Sequence, residues 1–225
     1  MKKTTILLGV LLTACYSYAQ INPEDKWATW YGLGGNYRIS EKSSIETFTY
    51  LWHYELNDNF NFLLLNFGYN YHFNPKLTGT VFWGYADIDS EMNMSSPHSS
   101  EIRLAEQVAF KHKLSTIPLD HRFRIEHRFL RKPNSKQNVA RLRYRLGTKF
   151  NLNKILFVRI HNEILLSPKL ENSSENRFYS GLGFNISKSN NIQLGYMNRN
   201  TPNKDNLHRI QMALFIKIDF RKNKN

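Results

Sequence analysis

Charged side chains recur at every second residue in two stretches near the middle of the chain. The stretches read RFRIEHRFLR at 122–131 and ARLRYRLGTKF at 140–150. Their alternating charged residues include Arg122, Arg124, Glu126, Arg128, Arg141, Arg143 and Arg145. Rows or rings of arginine and lysine are the means by which anion and phosphate pores select their solutes. The chemistry that these residue types could perform is therefore the binding or passage of small anions or acidic solutes.

A second set of polar residues with the same spacing follows further along the chain. Its members are Arg159, His161 and Glu163, and the inward Arg177 lies on the next segment. His161 could act in a proton-responsive gate, because histidine changes its charge near neutral pH. As the alternative, His161 and Glu163 neutralise the arginine rows, because buried charges persist only when they are paired and hydrogen-bonded. We favour the second interpretation.

Histidine and serine provide the residue types of a lipid-modifying enzyme, which needs a nucleophile within hydrogen-bond reach of an oriented base. His98 lies among the serines of SSPHSS, and His127 falls on the apolar face of its stretch. The chain has no Gly-x-Ser-x-Gly motif and no histidine cluster with the spacing of metal ligands. We therefore expect no enzymatic activity, no catalytic residues, no cofactor and no metal, with lipid modification kept as an alternative.

A period of two places charged and apolar side chains on opposite faces of a β-strand. Segments of this kind recur along the chain, with no sustained helical period between them. Their approximate spans are 27–38, 43–56, 60–73, 77–87, 100–113, 119–131, 138–150, 154–166, 176–187, 190–199 and 207–220. These lengths fit the ~9–11 residues that a tilted strand needs to cross a bilayer, whereas globular strands commonly have ~5–6. The sequence predicts an all-β, antiparallel up-and-down transmembrane β-barrel of about 10–12 strands, with a soluble periplasmic β-sandwich as the alternative.

The free energy of placing arginine in lipid decides which face of each strand points inward. One arginine near mid-membrane costs ~2–4 kcal/mol, so three in one strand would cost roughly as much as a whole domain's stability. The charged rows must therefore face the lumen. The inward cations are then Arg122, Arg124, Arg128, Arg141, Arg143, Arg145, Lys149, Arg159 and Arg177.

These nine cations face only two anions, Glu126 and Glu163, on the same segments. Even if Glu55, Asp87 and Glu101 on other segments pair with several of them, about five or six cations remain without an internal partner. Uncompensated charge in a lumen is costly, so water with counter-anions or an anionic ligand must occupy it. The residues expected to form the charged row of the lumen are Arg122, Arg124, Glu126, Arg128, Arg141, Arg143, Arg145, Arg159, His161, Glu163 and Arg177.

The apolar faces are predicted to contact lipid. On the third segment the predicted outward residues are Leu63, Leu65, Phe67, Tyr69, Tyr71 and Phe73, and the inward ones are Asn66, Asn70 and His72. In the last segment, LHRIQMALFIKIDF, six apolar residues from Ile210 to Phe220 share one face. The candidates for the interfacial aromatic girdles of such a barrel are Trp27, Trp52, Trp83 and Tyr85.

The connections alternate between short turns and longer polar loops, at least in the C-terminal half. The predicted short turns are 151–153 and 188–190, and the predicted long loops are 88–99, 132–137, 168–175 and 200–206. Outer-membrane barrels have this alternation, with the short turns in the periplasm. Because bacterial single-chain barrels have even numbers of strands, eleven segments imply either that 29–39 is not a full strand or that one strand is missed.

The N-terminal sequence MKKTTILLGVLLTACYSYAQ has the layout of a secretory signal peptide, with two lysines, an apolar stretch and the small-x-small site SYA. We expect cleavage after Ala19, which gives a signal peptide at 1–19 and a single outer-membrane β-barrel domain at 20–225. The alternative is a lipoprotein signal in which Cys15 is lipidated. Cleavage after Ala19 removes the only cysteine and lowers the formal net charge from +13 to +11.

Composition narrows the class of protein and its partners. The mean hydropathy is −0.53, and beyond the N-terminus no apolar run approaches the ~18 residues of a membrane helix, which excludes a helical membrane protein. We expect outer-membrane lipid and small anions as partners and the cell outer membrane as the location. Export makes nucleic acid an unsuitable partner for the positive charge. A plugged barrel with a structural or adhesive role is the alternative, because small barrels are filled by their own side chains.

Five short stretches together resemble a known family. They are IEHRF at 125–129, RLRYRL at 141–146, HNEIL at 161–165, ENRFYSGLGF at 175–184 and LGYMNR at 194–199. In this order they resemble the bacterial exported family called domain of unknown function 2490, over roughly 27–220. The resemblance implies an outer-membrane, barrel-like protein and supplies no established activity or catalytic residues.

Overall fold

The computed structural model describes residues 27–91, 97–168, 174–203 and 206–221, and these form one all-β domain. Its strands are β1 (Ala28–Arg38), β2 (Ser43–His53), β3 (Phe60–Asn74), β4 (Leu77–Ile88), β5 (Ser99–Leu114), β6 (Ile117–Lys132), β7 (Ser135–Asn151), β8 (Leu156–Leu166), β9 (Glu175–Asn185), β10 (Asn191–Asn200) and β11 (Leu207–Asp219). No helix in these ranges is long and apolar enough to cross a bilayer. The predicted signal peptide and Cys15 lie outside the described residues.

The eleven strands of the described chain form one closed barrel in which each strand pairs with its neighbours in sequence. All these pairs are antiparallel, and the barrel closes through a parallel pair between β1 and β11. The predicted barrel fold is therefore confirmed, but the expectation of an even strand number is wrong. Segment 29–39 belongs to a full strand, Ala28–Arg38. With an odd number of alternating strands the first and last run in the same direction, so only a parallel pair can close the barrel.

The two ends of the barrel differ in the length of their connections. At one end, called the short-turn end, the connections are 39–42, 75–76, 115–116, 152–155 and 186–190. At the other, called the long-loop end, they are 54–59, 89–98, 133–134, 167–174 and 201–206. The predicted long loop at 132–137 is wrong, because β6 and β7 continue to Lys132 and Ser135. Pro133 and Asn134 suffice for the turn, since both residue types favour tight turns.

The outer face of the barrel is apolar over much of most strands. On β3, Leu65, Phe67, Tyr69, Tyr71 and Phe73 are each exposed by 39–58%, whereas Asn70 on the inner face is only 2% exposed. On β11 the same division holds, with Met212 42% exposed outside and Gln211 6% exposed inside. The alternation predicted for both segments is confirmed.

One of the four residues predicted for the aromatic girdles points the other way. Trp52 lies inside the barrel, where its ring stacks on Trp30 with a centroid distance of 4.0 Å. Trp27, Trp83 and Tyr85 are exposed, by 52%, 49% and 37%. The prediction for Trp52 is wrong because the inner face of β2 is itself aromatic, so an aromatic residue there does not mark the outer surface.

Large rings on the inner face fit over glycines of the adjacent strands. Gly183 of β9 pairs with Phe157 of β8, and a Cβ atom at Gly183 would overlap the Phe157 ring. Gly68 of β3 accommodates the ring of Phe82 on β4 in the same way. These positions let bulky side chains lie flat against the barrel wall and keep the centre of the lumen open.

Candidate functional site

The interior of the barrel is a single large cavity of 1930 Å³ among the described residues. Its lining includes Thr201 and Asn203 at the long-loop end and Thr116 at the short-turn end, so the cavity runs the length of the barrel. Ligand pockets commonly have volumes of ~300–1,000 Å³. The lumen therefore has room for a small solute together with water.

The inner faces of β5 to β9 carry the charged residues and form what we call the arginine wall. All eleven residues expected in the charged row lie on this wall. They are Arg122, Arg124, Glu126 and Arg128 on β6, Arg141, Arg143 and Arg145 on β7, Arg159, His161 and Glu163 on β8, and Arg177 on β9. Antiparallel pairing places these four strands side by side and turns the separate rows into one surface.

Glu126 is the central carboxylate of the arginine wall and is completely buried. Arg141 Nε donates to its Oε2 at 2.7 Å, and Arg143 Nη1 donates to its Oε1 at 2.7 Å. Arg141 Nη2 also lies 2.5 Å from Oε2. Arg124 Nη1 and Arg103 Nη1 lie 3.6 and 3.9 Å from Oε1. One carboxylate thus compensates several guanidiniums, because its two oxygens offer about four lone-pair sites.

Two more buried carboxylates flank Glu126. Arg143 Nε and Nη2 donate to the two oxygens of Glu163 at 3.0 and 2.6 Å, and Arg122 Nη2 donates to Glu163 Oε1 at 2.5 Å. Glu101, which is fully buried, accepts a bidentate contact from Arg128 at 3.0 and 2.7 Å. Fork-to-fork pairing of this kind combines strength with fixed geometry.

The two remaining carboxylates of the wall, Asp120 and Glu175, were not among the predicted lumen residues. Asp120 accepts from Arg145 Nη2 at 3.0 Å and from Arg159 Nη2 at 3.5 Å. Glu175 pairs with Arg177 and, at 2.9 Å, with Arg199 Nη2. Each stands two residues before a predicted inward arginine, so the period of two could have revealed both.

These contacts correct the expected charge balance. Eight of the nine predicted inward cations have a carboxylate within 4.0 Å, so the expectation of five or six unpaired members is wrong. Glu101 contributes as anticipated, but Asp87 does not. Asp87 lies at an outward position of β4 and approaches His98 Nδ1 at 3.1 Å instead.

Positive charge without a carboxylate partner is concentrated near the short-turn end. Lysines rather than arginines carry it, and among the described residues none of them has a carboxylate within 4.0 Å. They are Lys76, Lys111, Lys113, Lys149 and Lys217. Lys149 Nζ lies 3.6 Å from the centroid of the Phe157 ring. The lumen thus retains a cationic excess, because ten arginines share five carboxylates and these lysines add to them.

His161 does not neutralise the arginines as Glu163 does. Its ring stacks on Tyr179 with centroids 4.7 Å apart, and its Nδ1 has no hydrogen-bond partner among the described residues. Glu163 therefore neutralises the arginines as expected, whereas His161 packs its ring against Tyr179 instead.

The inner faces of β1 to β4 form the opposite side of the lumen, which we call the aromatic wall. Trp30 and Trp52 stack in this wall, and Phe62 packs against Trp52 with ring centroids 4.4 Å apart. Phe48 packs edge-to-face on Tyr50 with a centroid distance of 4.2 Å. The period of two does not reveal this wall, because aromatic residues occur on both faces of these segments.

Neutral hydrogen bonds replace ion pairs where the aromatic wall nears the short-turn end. Thr80 Oγ1 donates to Asn70 Oδ1 at 2.6 Å, and Asn70 Nδ2 donates to Ser44 Oγ at 3.1 Å. His72 contacts Ser44 through Nε2 and Thr78 through Nδ1, both at 3.0 Å. The two walls meet where the Arg124 guanidinium lies 4.4 Å from the centroid of the Phe82 ring.

Neither candidate catalytic histidine lies in the lumen. His127 is on the outer face, with its Nε2 3.3 Å from Glu106 Oε2. His98 contacts Asp87 and, at 3.7 Å, Asp89. Within the described ranges no serine or threonine hydroxyl is hydrogen-bonded to either ring, and no cluster of potential metal ligands is found.

A closed all-β barrel with a polar, cationic lumen and an apolar exterior is the class that this fold and site define. The chain belongs to the family described as "Protein of unknown function (DUF2490)", whose model matches residues 27–211. The resemblance drawn from the five short stretches is therefore confirmed. A comparison with curated proteins finds no match to the chain.

Proposed function

We propose that this protein is an outer-membrane β-barrel whose lumen binds small anions or acidic solutes and lets them pass. The observation that carries the proposal is the cationic excess along a cavity that reaches both ends of the barrel. Rings of lysine and arginine select anions by raising their local concentration and excluding cations. The proposed role is non-catalytic.

The apolar exterior supports a membrane location. The ten-residue separation from Leu63 to Phe73 on β3 spans roughly 25 Å along the barrel axis at ~3.4 Å per residue and a tilt of ~40°. That height is the height of the apolar band of outer-membrane barrels. In a soluble barrel the same surface would face water, where so many large exposed side chains would favour aggregation.

Aromatic clusters near both ends of the outer face also support it. At the long-loop end the centroid of the Trp27 ring lies 6.0 Å from that of Tyr196 and 5.9 Å from that of His208. At the short-turn end His112 and His121 stack at 4.9 Å. Amphipathic rings favour the two membrane–water interfaces, so two such bands are expected where a barrel enters and leaves a bilayer.

The connections suggest an orientation. Outer-membrane barrels place short turns in the periplasm and long loops outside the cell. In that orientation the lysines near the short-turn end that have no described carboxylate partner, such as Lys149 and Lys217, lie at the periplasmic mouth of the lumen. The predicted signal peptide would deliver the chain to this membrane.

Location can be tested by fractionating cells that express the protein. We expect it in the outer-membrane fraction, and we expect its gel mobility to change on heating, because folded barrels resist the detergent until they are boiled. A product found wholly in the soluble periplasmic fraction would refute the membrane proposal.

Anion selectivity can be tested in planar bilayers under a salt gradient. The wild-type reversal potential should show anion preference. Lys149→Glu plus Lys217→Glu should lower the anion-to-cation permeability ratio by roughly 3-fold or more, because both side chains line the lumen without a described carboxylate partner. Neither substitution disrupts the buried carboxylate network.

The matched control changes the same number of charges at the same end but outside the lumen. Lys154→Glu plus Lys188→Glu does so in two exposed turns and should leave selectivity unchanged. Cation preference in the wild type would refute anion selection. No conductance at all would instead favour a barrel plugged by its own arginine network, with a structural or adhesive role.

A further inference from the structure

We propose that the ligand of this lumen is an amphiphilic organic anion, with an apolar ring or chain and one carboxylate or similar headgroup. This inference rests on the proposed anion-binding function and narrows its ligand class. It follows from the juxtaposition of the aromatic wall and the arginine wall across one cavity.

The apolar half of the proposed site is a stack of rings near the long-loop end. Trp30 and Trp52 lie face to face, Phe62 packs on Trp52, and Met197 completes the cluster beside Trp30. All four residues line the lumen. Trp30, Phe62 and Met197 are only 3%, 7% and 4% exposed, so the partly buried ring of Trp52 is the apolar surface of this stack that remains open to the lumen. A ring or alkyl chain of the ligand would cover that surface and so gain affinity, which a small inorganic anion could not do.

Cations border that stack directly. The Arg177 guanidinium lies 5.3 Å from the centroid of the Trp30 ring and 5.5 Å from that of Trp52. Arg199 lies opposite Arg177 in the strand pair of β9 and β10, and both contact Glu175. The Arg199 side chain is still 31% exposed. Two guanidiniums therefore share one carboxylate beside the rings, which leaves positive charge for the headgroup of a ligand.

Two uncharged donors of the same region have no acceptor among the described residues. They are Trp52 Nε1 and the Tyr179 hydroxyl, and Tyr179 belongs to the same cluster as Trp30. Buried donors without partners are uncommon and costly. An anionic oxygen seated beside the stack would supply an acceptor, which a purely apolar ligand could not do.

The other end of the lumen differs, because the ring nearest its lysines, Phe157, is only 1% exposed and is covered by Lys149. There the lysines face the neutral hydrogen-bonded residues of the aromatic wall, among them Ser44, Asn70 and Thr80. That region suits hydrophilic anions. The amphiphilic ligand therefore binds at the long-loop half, where apolar and cationic surfaces meet.

The test measures binding by titration calorimetry with the full barrel in phosphatidylcholine nanodiscs. The probes are 2-naphthoate, gluconate as a hydrophilic carboxylate, and 2-naphthalenemethanol as a neutral aromatic, and empty nanodiscs correct for partition into lipid. We expect 2-naphthoate to bind roughly 10-fold or more tightly than either of the others, because only it uses both surfaces.

Trp52→Leu should weaken 2-naphthoate binding by roughly 5-fold or more and leave gluconate unchanged. Trp83→Leu, which changes a tryptophan on the outer face, is the matched control and should change neither. If Trp52→Leu does not reach the heat-modifiable folded form, Trp52→Phe keeps one ring and should give a smaller loss in the same direction.

The outcomes separate this inference from the proposed function. Equal affinity for 2-naphthoate and gluconate, or the same losses with Trp83→Leu as with Trp52→Leu, would overturn the inference and leave anion binding standing. Equal affinity for the naphthoate and the neutral alcohol would overturn it as well, by showing that charge contributes nothing. Binding of neither anion would refute the proposed function itself.

Discussion

The two walls of the lumen belong to the same closed sheet, yet different kinds of interaction stabilise them. On the arginine wall nine guanidiniums are held by five carboxylates, three of which are at most 4% exposed. On the aromatic wall rings stack and neutral side chains hydrogen-bond, with Glu46 as the only described carboxylate that lines it. One barrel can thus place a charge-dependent surface and a charge-independent surface on opposite sides of a single cavity.

The difference has an energetic consequence. Removing one partner of a buried ion pair leaves an uncompensated charge. Because each carboxylate of the arginine wall pairs with more than one arginine, its removal would leave several guanidiniums uncompensated at once. Contacts between rings, by contrast, are lost individually. We therefore expect single substitutions to have larger and less additive effects on the arginine wall than on the aromatic wall.

The largest effect is expected from Glu126→Gln. Its carboxylate takes hydrogen bonds from Arg141 and Arg143 and lies within 4.0 Å of Arg103 and Arg124. The neutral amide would leave these cations uncompensated, and the free energy of unfolding should fall by ~3–5 kcal/mol. Urea unfolding of the protein folded in phospholipid vesicles measures the loss.

The control for this prediction lies on the aromatic wall. Glu46 is a lumen carboxylate whose described hydrogen bond comes from Asn70 Nδ2, at 3.3 Å. Glu46→Gln should therefore lower the free energy of unfolding by ~1 kcal/mol or less. Equal losses for the two substitutions would mean that the walls do not differ in their dependence on charge.

The next effect concerns the outer faces, where the two walls should behave alike. Ile125, behind the arginine wall, and Leu65, behind the aromatic wall, are 45% and 43% exposed. Ile125→Arg and Leu65→Arg should each cost ~2–4 kcal/mol in the same vesicle experiment if these faces contact lipid. The control Leu152→Arg changes an exposed residue of a turn and should cost less than ~0.5 kcal/mol. Costs as small as the control's at both strand positions would contradict a lipid-facing exterior.

The smallest of the three effects is expected from Gly183→Ala. The added methyl group would overlap the ring of Phe157, which is only 1% exposed and lies under Lys149. Displacing a packed ring should lower the free energy of unfolding by ~1–3 kcal/mol. Gly79→Ala is the matched control, because the side chain it meets is the exposed ring of Phe73, and it should stay within ~0.5 kcal/mol of wild type. A neutral Gly183→Ala would show that the inner rings are not fixed by their glycines.

How much could be predicted from the sequence differs between the same two regions. On β6 and β7 the alternation of arginine with apolar residues indicates the inner face, because arginine on the proposed lipid-facing exterior would be too costly. On β2 the inner residues Phe48, Tyr50 and Trp52 are more apolar than the outer Thr47 and Thr49, so alternation alone indicates the wrong face. This inversion explains the wrong prediction for Trp52.

The way in which the barrel closes could not be predicted from the sequence either. Alternation predicts how many strands there are and which side chains share a face, but not which strands pair at the seam. The parallel pairing of β1 with β11 depends on the parity of the strand number and on the shape of the closed sheet. Because known bacterial single-chain barrels have even numbers of strands, an even number was expected. The described part of the chain forms eleven.

The sequence by itself determined the all-β class, the spacing of the strands and the inward direction of the arginine rows, because these follow from local periodicity and from the cost of charge on an apolar exterior. Only the tertiary structure decided how Glu126 and Glu163 are shared among arginines of different strands, and that the aromatic wall faces them across one lumen. Such contacts join residues far apart in the chain, and their distances are set by sheet closure and register, which no local pattern contains.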